Sequence, residues 1–166
     1  MPNDDEPAAD LRAVLTDRAE TLAVAESSTG GLVGSMITDV PGASGYFDRS
    51  IVTYSNEAKV DLLDVDTETL ERVGAVSAAI AREMAHGVRE NGDTTWGLST
   101  TGIAGPTGGT EEKPVGTLFV GVARAGEDED TATAHRYHFD GSRLECKQRF
   151  AEQAIADLIA AAESSD

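Results

Sequence analysis

Short unbroken apolar runs alternate along this chain with stretches whose apolar residues recur every three or four positions. The runs at residues 21–25, 50–54, 95–101 and 117–123 read as buried strands. Residues 131–139 read as a fifth strand, forming a hairpin with the fourth across an acidic turn at 125–130. Helical spacing at 10–20 puts Leu11, Val14 and Leu15 on one face, with Asp10 as the cap. Further helices are expected at 32–37, 56–63 and 67–72. Ser77 reads as the N-cap of a helix to about residue 90, with Ile80, Met84 and Val88 spaced at four. A terminal helix is expected from Ser142 to about Ala162. Strands alternating with helices, plus one hairpin, predict an α/β fold: a three-layer α/β/α sandwich around a mostly parallel sheet with one antiparallel hairpin. Residues 1–9, polar with two prolines, read as a flexible acidic tail, leaving 10–163 as a single domain.

Charge narrows the function. The chain carries 30 acidic and 13 basic residues, a net charge of −17. That balance argues against a nucleic-acid backbone as partner and against anionic membranes. No apolar run approaches membrane-spanning length, and the acidic start lacks the form of a signal peptide. With the lone Cys146, these features predict a soluble cytoplasmic protein without a disulfide. Only Lys59, Lys113 and Lys147 represent lysine. A lysine-poor acidic surface fits a halophilic protein, in which salt screens the self-repulsion. An acidic mesophile is the plainer alternative. Either way, a surviving lysine is a candidate for a specific task.

Ligands of open parallel sheets bind beyond the C-terminal strand ends, and three segments should converge there. The first is Ser27-Ser-Thr-Gly-Gly31, between a strand and a helix. Its hydroxyls and N–H groups could hold an anion or set up a serine nucleophile. Alternatively, Ser28 or Thr29 is a simple N-cap. The second is Tyr54-Ser-Asn-Glu-Ala-Lys59. A buried lysine could be the general base of a serine, and a tyrosine could assist. The alternative is a solvated lysine paired with Glu57 or Asp61. The third is the glycine-rich loop at 102–109, which fits neither a Walker A nor a dinucleotide fingerprint. It could cradle a ligand or merely connect two strands.

His135 and His138 lie three apart on a strand, hence on opposite faces, and His86 stands alone. No metal site and no cofactor is expected from them. Cys146 is expected to be a packed small side chain.

Taken together, Ala25-Glu-Ser-Ser-Thr-Gly-Gly31, Val52-Thr-Tyr-Ser-Asn-Glu-Ala-Lys59, Gly74-Ala-Val-Ser77, Thr101-Gly-Ile-Ala-Gly-Pro106, Glu112-Lys-Pro-Val-Gly-Thr117 and Phe139-Asp-Gly-Ser-Arg143 resemble the CinA C-terminal domain family. The resemblance covers roughly residues 10–160. It implies a nicotinamide-nucleotide amidohydrolase. Such an enzyme cleaves the carboxamide of nicotinamide mononucleotide to nicotinate mononucleotide and ammonia, in NAD salvage. It also implies a homo-oligomer. Many family members carry a further N-terminal domain; this sequence resembles the C-terminal part and is expected to stand alone.

By resemblance, Ser27 is the nucleophile, Lys59 its base and Tyr54 the neighbouring tyrosine. Gly30 and Gly31, with Thr101, Gly102, Ala104 and Gly105, match the nucleotide-lining loops. Ser28 stands where the family commonly has cysteine, so no thiol is present in the loop. Lys147 stands where arginine is common, replacing a planar fork by a point charge. Amide hydrolysis by this set has Ser27 attack the carboxamide carbon while a neutral Lys59 takes its proton. N–H groups around Thr29–Gly31 or the Gly102 loop would hold the oxyanion, and Arg143 and Lys113 the phosphate. Glu57 and Asp61 are expected to face solvent. The rival readings are a catalytically silent nucleotide-binding or regulatory module, and an interaction module for a separate N-terminal-type partner.

Overall fold

The computed structural model describes residues 7–126 and 132–165 of the 166. Residues 1–6 of the tail expected at 1–9, and residues 127–131, which hold most of the acidic turn expected at 125–130, lie outside the described residues. The elements follow in the order α1 (Pro7–Arg18), β1 (Leu22–Glu26), α2 (Leu32–Thr38), β2 (Phe47–Val52), α3 (Asn56–Leu63), α4 (Thr67–Val73), α5 (Ala78–Gly92), β3 (Trp96–Gly102), β4 (Thr117–Arg124), β5 (Thr133–His138) and α6 (Arg143–Glu163).

Two boundaries differ from the sequence reading. Helix α1 starts at Pro7, so Asp10 lies in its first turn and is not its cap. Proline suits a first helical position because its missing N–H has no partner there anyway. Ala8, read as tail, is buried in the core. Strand β2 runs Phe47–Val52, three residues ahead of the apolar stretch that suggested it. It is an edge strand, exposed at several positions, so its apolar pattern is diluted. Ser77 and Ser142 cap α5 and α6 as expected, accepting from Ile80 N–H and Glu145 N–H.

The sheet order is β2-β1-β3-β4-β5. Pairs β1–β2 and β1–β3 are parallel, and β3–β4 and β4–β5 antiparallel, so β4 alone runs against the other four. The C-terminal ends of β1, β2 and β3 therefore share one edge.

Strand alternation divides the core between two helical layers. Leu22 and Val24 of β1, with Leu98 of β3, pack with residues of α1, α2 and α6. Ala23 and Ala25 pack with Leu63, Ile80, Met84 and Val88 of α3 and α5. Helix α5 lies close on the sheet because Gly97 and Gly121 leave room for it. A Cβ at either would collide with the Ala85 or Ala81 carbonyl. Between them Ser99 Oγ donates to Ala81 O at 2.6 Å. No helix among the described residues is long and apolar enough to cross a membrane.

Candidate active site

The alternation that sorts the core also sorts the end of β1. Glu26 points toward α2, and Ser27 turns the other way, toward α3. Helix α3 is started by Ser55, whose hydroxyl accepts from Ala58 N–H at 3.0 Å. That start places Lys59 one turn in, with its side chain running back under the end of β2.

Lys59 is 1% exposed. Its Nζ lies 2.9 Å from Ser27 Oγ, 2.7 Å from the Thr53 carbonyl and 3.4 Å from the Tyr54 carbonyl. A neutral amine has two N–H donors and one lone pair. As an ammonium Lys59 donates to the Ser27 hydroxyl and to both carbonyls; once neutral, with the carbonyls keeping its two donors, its lone pair can accept from Ser27. Burial pulls the Lys59 pKa down to about 8, since a charged ammonium is costly away from water. Glu57 and Asp61 are exposed and form no bond with Lys59.

Ser27 and Lys59 open into a cavity of about 370 Å³. The three segments meet there as the sheet edge requires. From them Tyr54, Thr101, Gly102, Ala104 and Gly105 also line the wall. Arg143, from the start of α6, reaches across the mouth. It donates from Nη1 to Gly105 O at 2.6 Å and from Nη2 to Tyr54 Oη at 3.4 Å. The Tyr54 ring is 65% exposed at the mouth, so its hydroxyl meets Arg143 and not the Ser27–Lys59 pair. Thr101 is held by donating to Ala75 O at 2.9 Å.

Several residues lie elsewhere than expected. Thr29 is buried off the wall, its hydroxyl bonded to Glu26 and Thr100. Gly31 is the N-cap of α2, at φ 106°, and neither Ser28 nor Thr29 caps it. The N–H groups of Gly31, Val33 and Gly34 all donate to the Glu26 carboxylate, and Gly30 N–H donates to Ser27 O. This helix end is therefore not an open anion cradle. Lys113 donates to Val73 O at 2.8 Å and is not part of the cavity wall. Lys147 stands one turn beyond Arg143, its Nζ about 4.0 Å from where a Gly30 Cβ would lie.

The loop after β3 differs. Among the described residues the N–H groups of Ala104, Gly105, Thr107 and Gly108 have no partner, and all four residues line the cavity. Sequence reasoning missed Ala75, Val76 and Asn56 on the wall. The signal was present for Ala75 and Val76 in the motif Gly74-Ala-Val-Ser77, which carried no site role in the sequence reading; in the structure Gly74 takes φ 77° and Ser77 Oγ donates to Gly74 O. Cys146 is buried in the core, away from the wall. No group of three metal-ligating side chains occurs among the described residues.

Comparison with known proteins gives the same grouping. The CinA C-terminal domain matches residues 4–162. A CinA-like protein of Chlorobium limicola is 50% identical over 147 residues, covering 87% of this chain and 34% of that protein. One from Cyanothece sp. is 56% identical over 121 residues, covering 73% and 29%. The chain thus spans about a third of the length of the curated relatives it matches. Among solved structures, competence/damage inducible protein CihA from Agrobacterium tumefaciens superposes with TM-score 0.87 at 37% identity, over 93% of this chain and 92% of that one. The competence damage-inducible protein A of Klebsiella pneumoniae gives 0.90 at 28% identity, over 96% and 97%. With one family covering nearly all of its length and the fold shared throughout, the chain belongs to the CinA C-terminal domain family.

Proposed function

We propose that this domain hydrolyses the carboxamide of nicotinamide mononucleotide, giving nicotinate mononucleotide and ammonia, by a Ser27–Lys59 mechanism. One observation carries the reading: a serine hydroxyl 2.9 Å from a buried lysine amine on the wall of a cavity of nucleotide size. The resemblance of the surrounding motifs supplies the substrate.

In this reading neutral Lys59 takes the Ser27 proton as Oγ attacks the carboxamide carbon. It then passes the proton to the departing ammonia. Water cleaves the acyl-enzyme by the same route in reverse. With the α2 end closed by Glu26, the oxyanion falls to unpartnered N–H groups of residues that line the cavity. Those of the loop after β3 are candidates, as is Ser28 N–H, which also lacks a partner among the described residues. The substrate's pyridinium is a cation, and the exposed face of Tyr54 is suited to it. Its phosphate is assigned to Arg143 at the mouth, with Lys147 one turn along α6. The test is ammonia release from nicotinamide mononucleotide by the purified chain at low and molar KCl. Release that vanishes in Ser27→Ala supports the reading. No release at any salt concentration overturns it.

A further inference from the structure

The first loop holds a buried carboxylate that the proposed reaction does not use. Glu26 ends β1 and is 0% exposed. Its Oε1 accepts from Thr29 Oγ1 at 2.7 Å, Gly31 N–H at 3.2 Å and Val33 N–H at 2.8 Å. Its Oε2 accepts from Gly34 N–H at 3.0 Å and Ser50 Oγ at 2.6 Å. Helix α2 has no side-chain cap at Gly31, so Glu26 supplies from five residues upstream the acceptors that a capping side chain would. The packing admits it closely: a Cβ on Gly34 would sit 3.0 Å from Ser50 Cβ.

These bonds enclose the serine turn. Thr29 Oγ1 is also 2.8 Å from Thr100 Oγ1, which ties the turn to β3. Ser27 N–H donates to Thr100 O at 3.1 Å. On the other flank Glu26 O accepts Thr53 N–H at 2.8 Å, and Thr53 O accepts Lys59 Nζ. The Glu26 carboxylate thus ties the turn to α2 and β2 directly and to β3 through Thr29, and it does not line the cavity.

We propose that Glu26 is a positioning residue for the nucleophile, acting through the 27–31 turn to hold Ser27 Oγ against Lys59 Nζ. Glu26→Gln keeps the size but sets an amide NH₂ among five donors, so the turn must shift. A shift of order 1 Å at a reacting atom costs about 100-fold in rate.

The proposal rests on Ser27 being an activated nucleophile, so two readouts are measured well below the melting temperature. One is kcat and KM with nicotinamide mononucleotide. The other is the rate at which a fluorophosphonate labels Ser27, which needs no nucleotide. In Glu26→Gln, kcat and the labelling rate should both fall about 100-fold with KM nearly unchanged. A general loss of folded protein would instead lower the active fraction and leave the labelling rate of the folded remainder intact. Wild-type labelling rate in folded Glu26→Gln, or a raised KM with normal kcat, overturns the proposal. Should that variant fail to fold, Thr29→Val removes one donor and one tie to β3. Slower labelling there supports the proposal, and an unchanged rate overturns it. If wild type labels at Ser27 but releases no ammonia, the substrate reading fails and labelling alone decides on Glu26. If wild type does not label at Ser27, both fail.

Discussion

Two glycine-containing loops leave neighbouring parallel strands at the same sheet edge, yet they do opposite things. The loop after β1 is closed. Glu26 takes the N–H groups of Gly31, Val33 and Gly34, and Thr29 is tied to Glu26 and Thr100. The loop after β3 is open: four residues that line the cavity have N–H groups without partners among the described residues. Glycine therefore does not by itself mark an anion site. What matters is whether the chain already satisfies its own donors. The closed loop holds the Ser27 hydroxyl against Lys59, with Ser28 beside it on the wall, and the open loop leaves backbone donors unused.

The largest expected effect tests what the closed loop presents. Ser27→Ala and Lys59→Ala should each lower kcat roughly 10⁴-fold, and the double variant should lose little more, because the pair acts as a unit. Steady-state kinetics of the three variants decide this. Full activity in Ser27→Ala with loss in Ser28→Ala would assign the nucleophile to the wrong hydroxyl.

The next effect follows from Lys59 and pH. With its pKa lowered to about 8, the free enzyme gains the neutral amine as pH rises through that value, so kcat/KM should climb along a limb centred near pH 8. Lys59→Arg stays protonated and should lose both the limb and most of the rate. Stability should move in the same direction. Below about pH 8 both folded and unfolded chains hold the proton, and the folded one bears the full cost of a buried ammonium. Between about 8 and the ordinary 10.5 only the unfolded chain holds it, so folding gains stability as pH rises across that window. Melting curves of wild type and Lys59→Met across the window should diverge in slope; parallel curves would contradict the burial argument.

Smaller effects separate the two loops. Gly105 has φ 85°, and a Cβ there would run into Val115, so Gly105→Ala should distort the open loop and raise KM. Gly30 has φ 59°, with no atom nearer than 4.0 Å to an added Cβ. Gly30→Ala should cost only the backbone strain of about 1–2 kcal/mol, seen as a lowered melting temperature at unchanged KM. The cations divide likewise. Arg143→Ala should raise KM about tenfold, as loss of a charge-assisted bond would. Lys113→Ala, whose ammonium rests on Val73 O, should leave KM unchanged. Equal KM effects from the two would return the phosphate to the sequence-based assignment.

The smallest expected effect is on neither loop. A chain of net charge −17 repels itself, so the melting temperature should rise by a few degrees as KCl goes from near zero to molar. A flat series would refute the halophilic reading.

By itself the sequence determined whatever depends on near neighbours. Apolar runs set β1, β3 and β4, and Ser77 and Ser142 announced the starts of α5 and α6 because a cap acts within three residues. Lysine scarcity singled out Lys59 before any contact was visible. The strand–helix order brought three loops to one edge, since parallel strands must end together. The tertiary structure alone decided the fate of individual polar groups. Glu26 carried no role in the sequence reading, and nothing local showed that it would close α2 across eight residues and reach Ser50 on β2. Tyr54 read as a helper of the dyad, but its ring lies at the mouth against Arg143, 89 residues away. Lys113 read as a phosphate ligand and rests instead on a carbonyl at the end of α4. A hydrogen bond depends on an ångström of position, and only the packing of β1 between β2 and β3, with helices on both faces, fixes that ångström.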